Sequence, residues 1–195
     1  MKAKSFSVKV KEKIKPFNKI IKVDSDKSLS IRSFLIGSIC QNISTVTNVL
    51  ESEDVKSTIE ACKKLGVKIV KSSSGSYKIY GKGLGSLFAK KNTVINCFNS
   101  GTLARLLLGI LSTTPNIEII MTGDSSLRKR SMKKLVLLMS EFGATFLPKN
   151  KFNFPLKIIS TDMPIGINYS AGVSAQLKSA VILAGLNSFG NTKVI

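Results

Sequence analysis

Three short segments of this sequence place a hydroxyl or a glycine four residues ahead of a cation, each at the threshold of an apolar helical stretch. They read Asp26-Lys27-Ser28-Leu29-Ser30-Ile31-Arg32, Asn99-Ser100-Gly101-Thr102-Leu103-Ala104-Arg105 and Gly172-Val173-Ser174-Ala175-Gln176-Leu177-Lys178. A helix start exposes unpaired N–H groups and the positive end of the helix dipole, so a small polar turn there favours an anion. Ser28 and Arg32 share one helix face with Lys27 at its entry. Gly101 permits a ligand to approach the backbone closely, and Gln176 can hydrogen-bond a substrate. Each also has a plain structural alternative: an N-cap for Ser28, a turn glycine for Gly101, an exposed helical amide for Gln176. A fourth segment, 123–130, sets Arg128, Lys129 and Arg130 between an apolar strand and a helix, a position from which a side chain reaches a cleft. Its ordinary alternative is a solvated charge run.

The distribution of charge sharpens that reading. The net charge is +19, which raises nucleic acid as a partner. Yet the lysines are scattered, and no basic run is interleaved with aromatics. The four arginines, Arg32, Arg105, Arg128 and Arg130, all fall in the polar segments. In a chain that draws most of its positive charge from lysine, arginine at a few points marks sites that need planar, bidentate recognition of phosphate or carboxylate. Histidine is absent, which excludes His-based triads and the common His-containing zinc sites within this chain. Cys40, Cys62 and Cys97 have no metal-type spacing and read as small buried hydrophobes in a reducing compartment.

The elements that must position these residues recur with a period of about 74 residues. Residues 5–23 alternate as two strand-like pieces around Pro16. The pattern then predicts a helix over 28–41, a short strand at 43–47, a helix capped by Asp54 and ended by Gly66, and strands at 67–71 and 77–80. The second copy predicts strand 93–97, helix 102–112, strand 117–122, helix 131–142 and strands 144–148 and 154–159. The third predicts strand 165–169, helix 174–186 and a strand at 192–195, where the sequence ends. Leu65-Gly66-Val67 and Phe142-Gly143-Ala144 close the second helix of the first two copies alike. A βαβαββ unit thus appears twice whole and once truncated, an α/β class. With 43% hydrophobic residues the chain can bury a real core, and no apolar run approaches the length of a membrane span. The basic, alternating first fifteen residues resemble a strand more than a signal peptide.

Together the four segments closely resemble the 5-enolpyruvylshikimate-3-phosphate synthase family, the 3-phosphoshikimate 1-carboxyvinyltransferases, in order and in spacing. The resemblance runs over essentially all of the chain, which corresponds to a little under half of a family member. It implies the enolpyruvyltransferase fold, an inside-out α/β barrel of two domains, each of three βαβαββ units, with the active site in the cleft between them. Residues 25–195 would be the first domain, incomplete at its C-terminal end, and 1–24 would pack with the second. The implied reaction joins phosphoenolpyruvate to the 5-hydroxyl of shikimate 3-phosphate: protonation at C3, attack at C2, and loss of phosphate from a tetrahedral intermediate. No metal or organic cofactor is implied.

The same resemblance assigns roles. Lys27 would contact both substrates and help move the proton, while Ser28 and Arg32 would hold the carboxylate side of shikimate 3-phosphate. Ser174 and Ala175 would lie at its phosphate, and Gln176 between the substrates. The Gly101 backbone and Arg130 would bind the phosphate of phosphoenolpyruvate. Family members are inhibited by glyphosate, which competes for that space. Two positions depart from common family patterns: Ser131 stands where proline is usual, and Ala175 where some members have a second serine. The family's second-domain residues are outside this sequence, so these 195 residues alone are expected to be inactive. The expected setting is a cytoplasmic protein, monomeric at full length, without nucleic-acid or membrane partners. Two alternatives remain at this stage: a UDP-sugar enolpyruvyltransferase, whose mobile-loop cysteine has no counterpart in 123–130, and a basic nucleic-acid-binding module.

Overall fold

A computed structural model of the chain describes residues 23–195 and, before them, Ser7, Lys9, Asn18 and Ile20. The strand pieces expected over 5–23 and the proposed packing of 1–24 lie, apart from those few residues, outside the described region.

The first unit runs α1 (Lys27–Ile39), β1 (Ile43–Val46), α2 (Glu53–Lys64), β2 (Lys68–Ser73) and β3 (Ser76–Tyr80). The second runs β4 (Thr93–Asn96), α3 (Gly101–Thr113), β5 (Glu118–Thr122), α4 (Ser125–Lys129), α5 (Lys133–Glu141), β6 (Thr145–Leu147) and β7 (Leu156–Ile159). The third contributes β8 (Asn168–Tyr169), α6 (Ala175–Gly185) and β9 (Lys193–Val194).

The sheets repeat one topology. In the second unit the strand order is β4-β5-β7-β6, with β4 and β5 parallel and the other pairings antiparallel. The first unit's β1-β3-β2 reproduces the β5-β7-β6 part, both pairings antiparallel. The third unit's parallel β8-β9 reproduces the β4-β5 part. The α/β repeat fold expected from the sequence is therefore present in its alternation and element order.

The repeats keep phase through their helix caps. Asp26, Ser100 and Ser174 cap α1, α3 and α6, each 74 residues from the next. Each side chain accepts from the N–H three residues on: Leu29 at 2.6 Å, Leu103 at 3.3 Å and Leu177 at 3.4 Å. This register corrects the alignment drawn from a hydroxyl or glycine four residues before a cation. It places Lys27, Gly101 and Ala175 at equivalent first positions and Ser28, Thr102 and Gln176 at equivalent second positions. The cap wins because it satisfies a backbone donor, whereas the distance to a cation constrains nothing in the backbone. Ser28 is thus not the N-cap.

Other boundaries also moved. Ser52, not Asp54, stands at the cap of α2, which leaves the Asp54 carboxylate free for other work. The helix expected over 131–142 begins at Lys133, and the preceding charge run itself folds as the short α4, capped by Asp124 on the Leu127 N–H at 2.7 Å. The strand expected over 165–169 shrinks to β8 plus an isolated bridge between Ile165 and Phe189.

The second helices end alike. Val67 donates to Cys62 and Gly66 to Lys63; Ala144 donates to Met139 and Gly143 to Ser140. This is the Schellman pattern, and it needs a residue at positive φ, supplied by Gly66 at 83° and Gly143 at 109°.

The core centres on α3, in which every residue except Arg105 is buried. A helix apolar on all sides belongs at the middle of a fold. Its hydroxyls and that of its C-cap are satisfied within the chain, Ser112 donating to Leu108 and the C-cap Thr114 to Ile110. Gly109 lets α6 cross closely: a β-carbon there would lie 2.5 Å from the carbonyl oxygen of Ala180. Among the described residues no helix is long and apolar enough to cross a membrane.

Candidate active site

Three helix N-termini meet at one end of this core, and side chains of their first two turns join them. Arg32 of α1 donates through Nη2 to Ser179 Oγ of α6 at 3.3 Å, and through Nη1 to its own Ser28 carbonyl at 3.3 Å. Gln176 of α6 donates through Nε2 to Thr102 Oγ1 of α3 at 3.0 Å, while its Oε1 accepts from Arg105 Nη1 at 2.9 Å. Both ends of the Gln176 amide are therefore engaged inside the site, and they aim Arg105.

Gly101 is the point where the guanidinium groups converge. A β-carbon on it would stand 2.7 Å from Arg105 Nη1 and 3.0 Å from Arg130 Nη1. Arg130 is oriented by Asn99, whose Oδ1 accepts from Nη2 at 2.7 Å; Arg105 also donates to the Gly101 carbonyl at 3.2 Å. Burial, and then the charge of Arg130, lowers the pKa of half-buried Arg105 from its ordinary value. Two like charges held beside a helix N-terminus are unfavourable until an anion joins them. Among the described residues no carboxylate supplies that charge, because none of the four arginines takes part in an ion pair. Arg128 serves the scaffold instead, its Nε donating to the Gly123 carbonyl at 2.8 Å.

The remaining expected residues lie at the same end without joining that pair. Lys27, at the first position of α1, is held by Asp54 Oδ2 at 2.9 Å. Ser28 is partly buried one position on, and Ala175 is exposed at the start of α6. Ser174 caps α6 and lines a cavity of about 450 Å³ with Arg105, Gln176, Lys133 and Lys134. Ser131, the residue in place of the usual proline, accepts from the Lys133 N–H at 3.2 Å and so helps to start α5.

The cysteines take no part in this chemistry. Burial pushes the Cys97 thiol up to about 12 and the Cys62 thiol up to about 11, so neither is a thiolate at neutral pH. Cations, hydroxyls and helix N-termini suit an anionic ligand; they are poor ligands for a metal ion.

Sequence reasoning left Arg105 without a role and did not single out Thr102, Ser179 or the Asn99 side chain. The signal for Arg105 was present: it is the one cation in an otherwise apolar and small-residue helix, one turn beyond Gly101. No local signal marks Ser179, whose partner is 147 residues away.

Comparison with known proteins bears on the chain's family. The profile of the family described as EPSP synthase (3-phosphoshikimate 1-carboxyvinyltransferase) matches residues 11–195. The chain is 40% identical over 174 residues to a 3-phosphoshikimate 1-carboxyvinyltransferase of Paramagnetospirillum magneticum, covering 89% of this chain and 39% of the relative. It is 38% identical over 181 residues to that of Dinoroseobacter shibae, covering 92% and 40%. A solved EPSP synthase from Acinetobacter baumannii superposes with a TM-score of 0.82 at 37% identity, covering 89% of this chain and 39% of that one. The chain thus spans about two-fifths of the length of these relatives. With this match over nearly its whole length, the chain belongs to the EPSP synthase family.

Proposed function

We propose that the protein to which these residues belong transfers the enolpyruvyl group of phosphoenolpyruvate to the 5-hydroxyl of shikimate 3-phosphate and releases phosphate. The observation that carries this reading is the Arg105–Arg130 pair astride Gly101, without a carboxylate partner among the described residues. In this reading the phosphate of phosphoenolpyruvate takes up Arg130 and the α3 N-terminus. Charge-assisted hydrogen bonds of this kind contribute roughly 1.5–3 kcal/mol each. Arg32 and Ser28 hold the carboxylate side of shikimate 3-phosphate, Ser174 and the Ala175 backbone its phosphate, and Gln176 stands between the substrates.

Protonation at C3 leaves cationic character at C2, which the 5-hydroxyl attacks as it gives up its proton; removal of a proton from the C3 methyl group as the C2–O bond to phosphate breaks then restores the double bond. Lys27 donates or relays protons, and the arginines carry the phosphate as its charge grows. Residues 25–195 form one wall of the cleft, 1–24 pack with the facing domain, and the full-length protein works as a cytoplasmic monomer. A UDP-sugar acceptor is disfavoured, since the loop from Gly123 to Arg130 has no cysteine.

The deciding experiment is phosphate release by the full-length protein. Release that requires both phosphoenolpyruvate and shikimate 3-phosphate supports the reading. Release with a UDP-sugar as acceptor, or none with either, sinks it. The 195 residues by themselves are expected to be inactive, because proximity catalysis needs both walls.

A further inference from the structure

Lys27 occupies an electrostatically awkward place. It is the first residue of α1, where the helix dipole presents its positive end, and the first turn of α1 contains no acidic residue. The Asp26 carboxylate caps that terminus through Oδ1 on the Leu29 N–H, and a second carboxylate reaches the Lys27 ammonium from the next helix. Asp54, in the first turn of α2, sets Oδ2 at 2.9 Å from Lys27 Nζ.

Three features separate this ion pair from the others. Its carboxylate is the least exposed of any ion pair among the described residues, at 21% for the side chain. The Lys56–Glu53 and Lys63–Glu60 pairs are exposed i,i+3 contacts within one helix, whereas this one joins two packed helices. And Asp54 has no capping duty, because Ser52 holds the cap position. Its negative charge is favoured by the α2 dipole while it offsets the repulsion on Lys27. One carboxylate thereby sits in the first turn of α2 and pairs with the first residue of α1.

We propose that Asp54 is the positioning residue for Lys27, fixing the ammonium at the first turn of α1 before substrate arrives. The proposal rests on the reading of Lys27 as a substrate-contacting residue. A flexible lysine searching several rotamers would give up geometry that the reaction needs, whereas a tethered one meets phosphoenolpyruvate already oriented.

The test uses the full-length enzyme and two readouts. The first is acylation of Lys27 by acetic anhydride at fixed pH, measured by mass spectrometry relative to Lys64. Asp54→Asn should raise Lys27 labelling severalfold, Asp54→Glu should leave it close to wild type, and Glu53→Gln on the same turn should not change it. The second is steady-state kinetics: Asp54→Asn should lower kcat by about tenfold or more, the scale of a misplaced catalytic group, with a smaller change in KM for shikimate 3-phosphate. Asp54→Glu should recover most of that loss. Labelling and kcat within twofold of wild type in a folded Asp54→Asn protein would overturn the proposal. Should that variant fail to fold, Asp54→Glu decides alone, and raised Lys27 labelling in it overturns the proposal. A wild-type protein that releases no phosphate while Asp54→Asn still unmasks Lys27 would instead remove the proposed reaction and leave the tether standing.

Discussion

Gly101 poses the sharpest question at the scale of single residues. Its φ is that of an ordinary helical residue, so alanine there carries no backbone strain and improves helix propensity by about 1 kcal/mol. The added β-carbon would instead press on Arg105 and Arg130, whose flexible guanidinium ends must shift to make room. Gly101→Ala in the full-length protein should therefore keep its melting temperature while raising KM for phosphoenolpyruvate and the inhibition constant for glyphosate severalfold. Shikimate 3-phosphate affinity should be little changed. Kinetics with and without glyphosate, beside a thermal melt, check this; a lower melting temperature with unchanged constants would make Gly101 a scaffold residue only. Arg32 supplies a second comparison. Replacing its planar fork by lysine should weaken shikimate 3-phosphate binding by about 1–3 kcal/mol, and it also breaks the link to Ser179. Lys149→Ala, at an exposed position away from the site, should leave calorimetric binding unchanged.

At the scale of elements, the two Schellman endings make a matched pair with different surroundings. Gly66 has positive φ in an open setting, where a β-carbon would find no neighbour nearer than 3.8 Å. Gly66→Ala should cost only the left-handed backbone term, about 1–2 kcal/mol. Gly143 has positive φ as well, but its β-carbon would meet Thr161 at 3.1 Å, so Gly143→Ala should cost more than Gly66→Ala. Urea unfolding of both variants measures the difference, and equal losses would mean that Thr161 yields freely. The crossing of α3 and α6 at Gly109 is less forgiving. The obstacle there is the Ala180 backbone, and alanine would push apart the two helices that carry Arg105 and Gln176.

For the molecule as a whole, the excess of positive charge makes acid the revealing stress. Glu51 is tied to the β2–β3 hairpin by Lys71, the Tyr77 hydroxyl and the Gly75 N–H, which together lower its pKa from 4.5 to about 2. A folded-state pKa below the unfolded one means that the carboxylate stabilises the fold fully above the unfolded value. That contribution is lost as pH falls from about 4.5 toward 2. Glu118, held below its ordinary value by Lys157 and Lys91, adds to the same trend. Denaturant unfolding at pH 7, 4.5 and 2.5 should show wild type losing stability through this window. Glu51→Gln, less stable at pH 7, should lose less on acidification. A parallel pH dependence for the two proteins would exclude Glu51 as a source of the acid sensitivity.

Much of this protein was fixed locally and could be read locally. Apolar periodicity marked α1, α3 and α6; the paired glycine tripeptides marked two helix ends; the spacing of small polar segments marked the repeat and the residues at its helix starts. These signals are legible because a backbone satisfies its nearest donors and acceptors first, within a few residues along the chain. The tertiary structure decided which of those starts share a site and what each side chain touches there. That Asp54 reaches from α2 to Lys27, that Arg105 and Arg130 meet over Gly101, and that Gln176 is committed to Thr102 and Arg105 all depend on how closely α3 crosses α6 and α1 packs on α2. No local pattern encodes these contacts, because a side chain a few ångströms long finds its partner only after burial of apolar faces elsewhere has brought distant helices together.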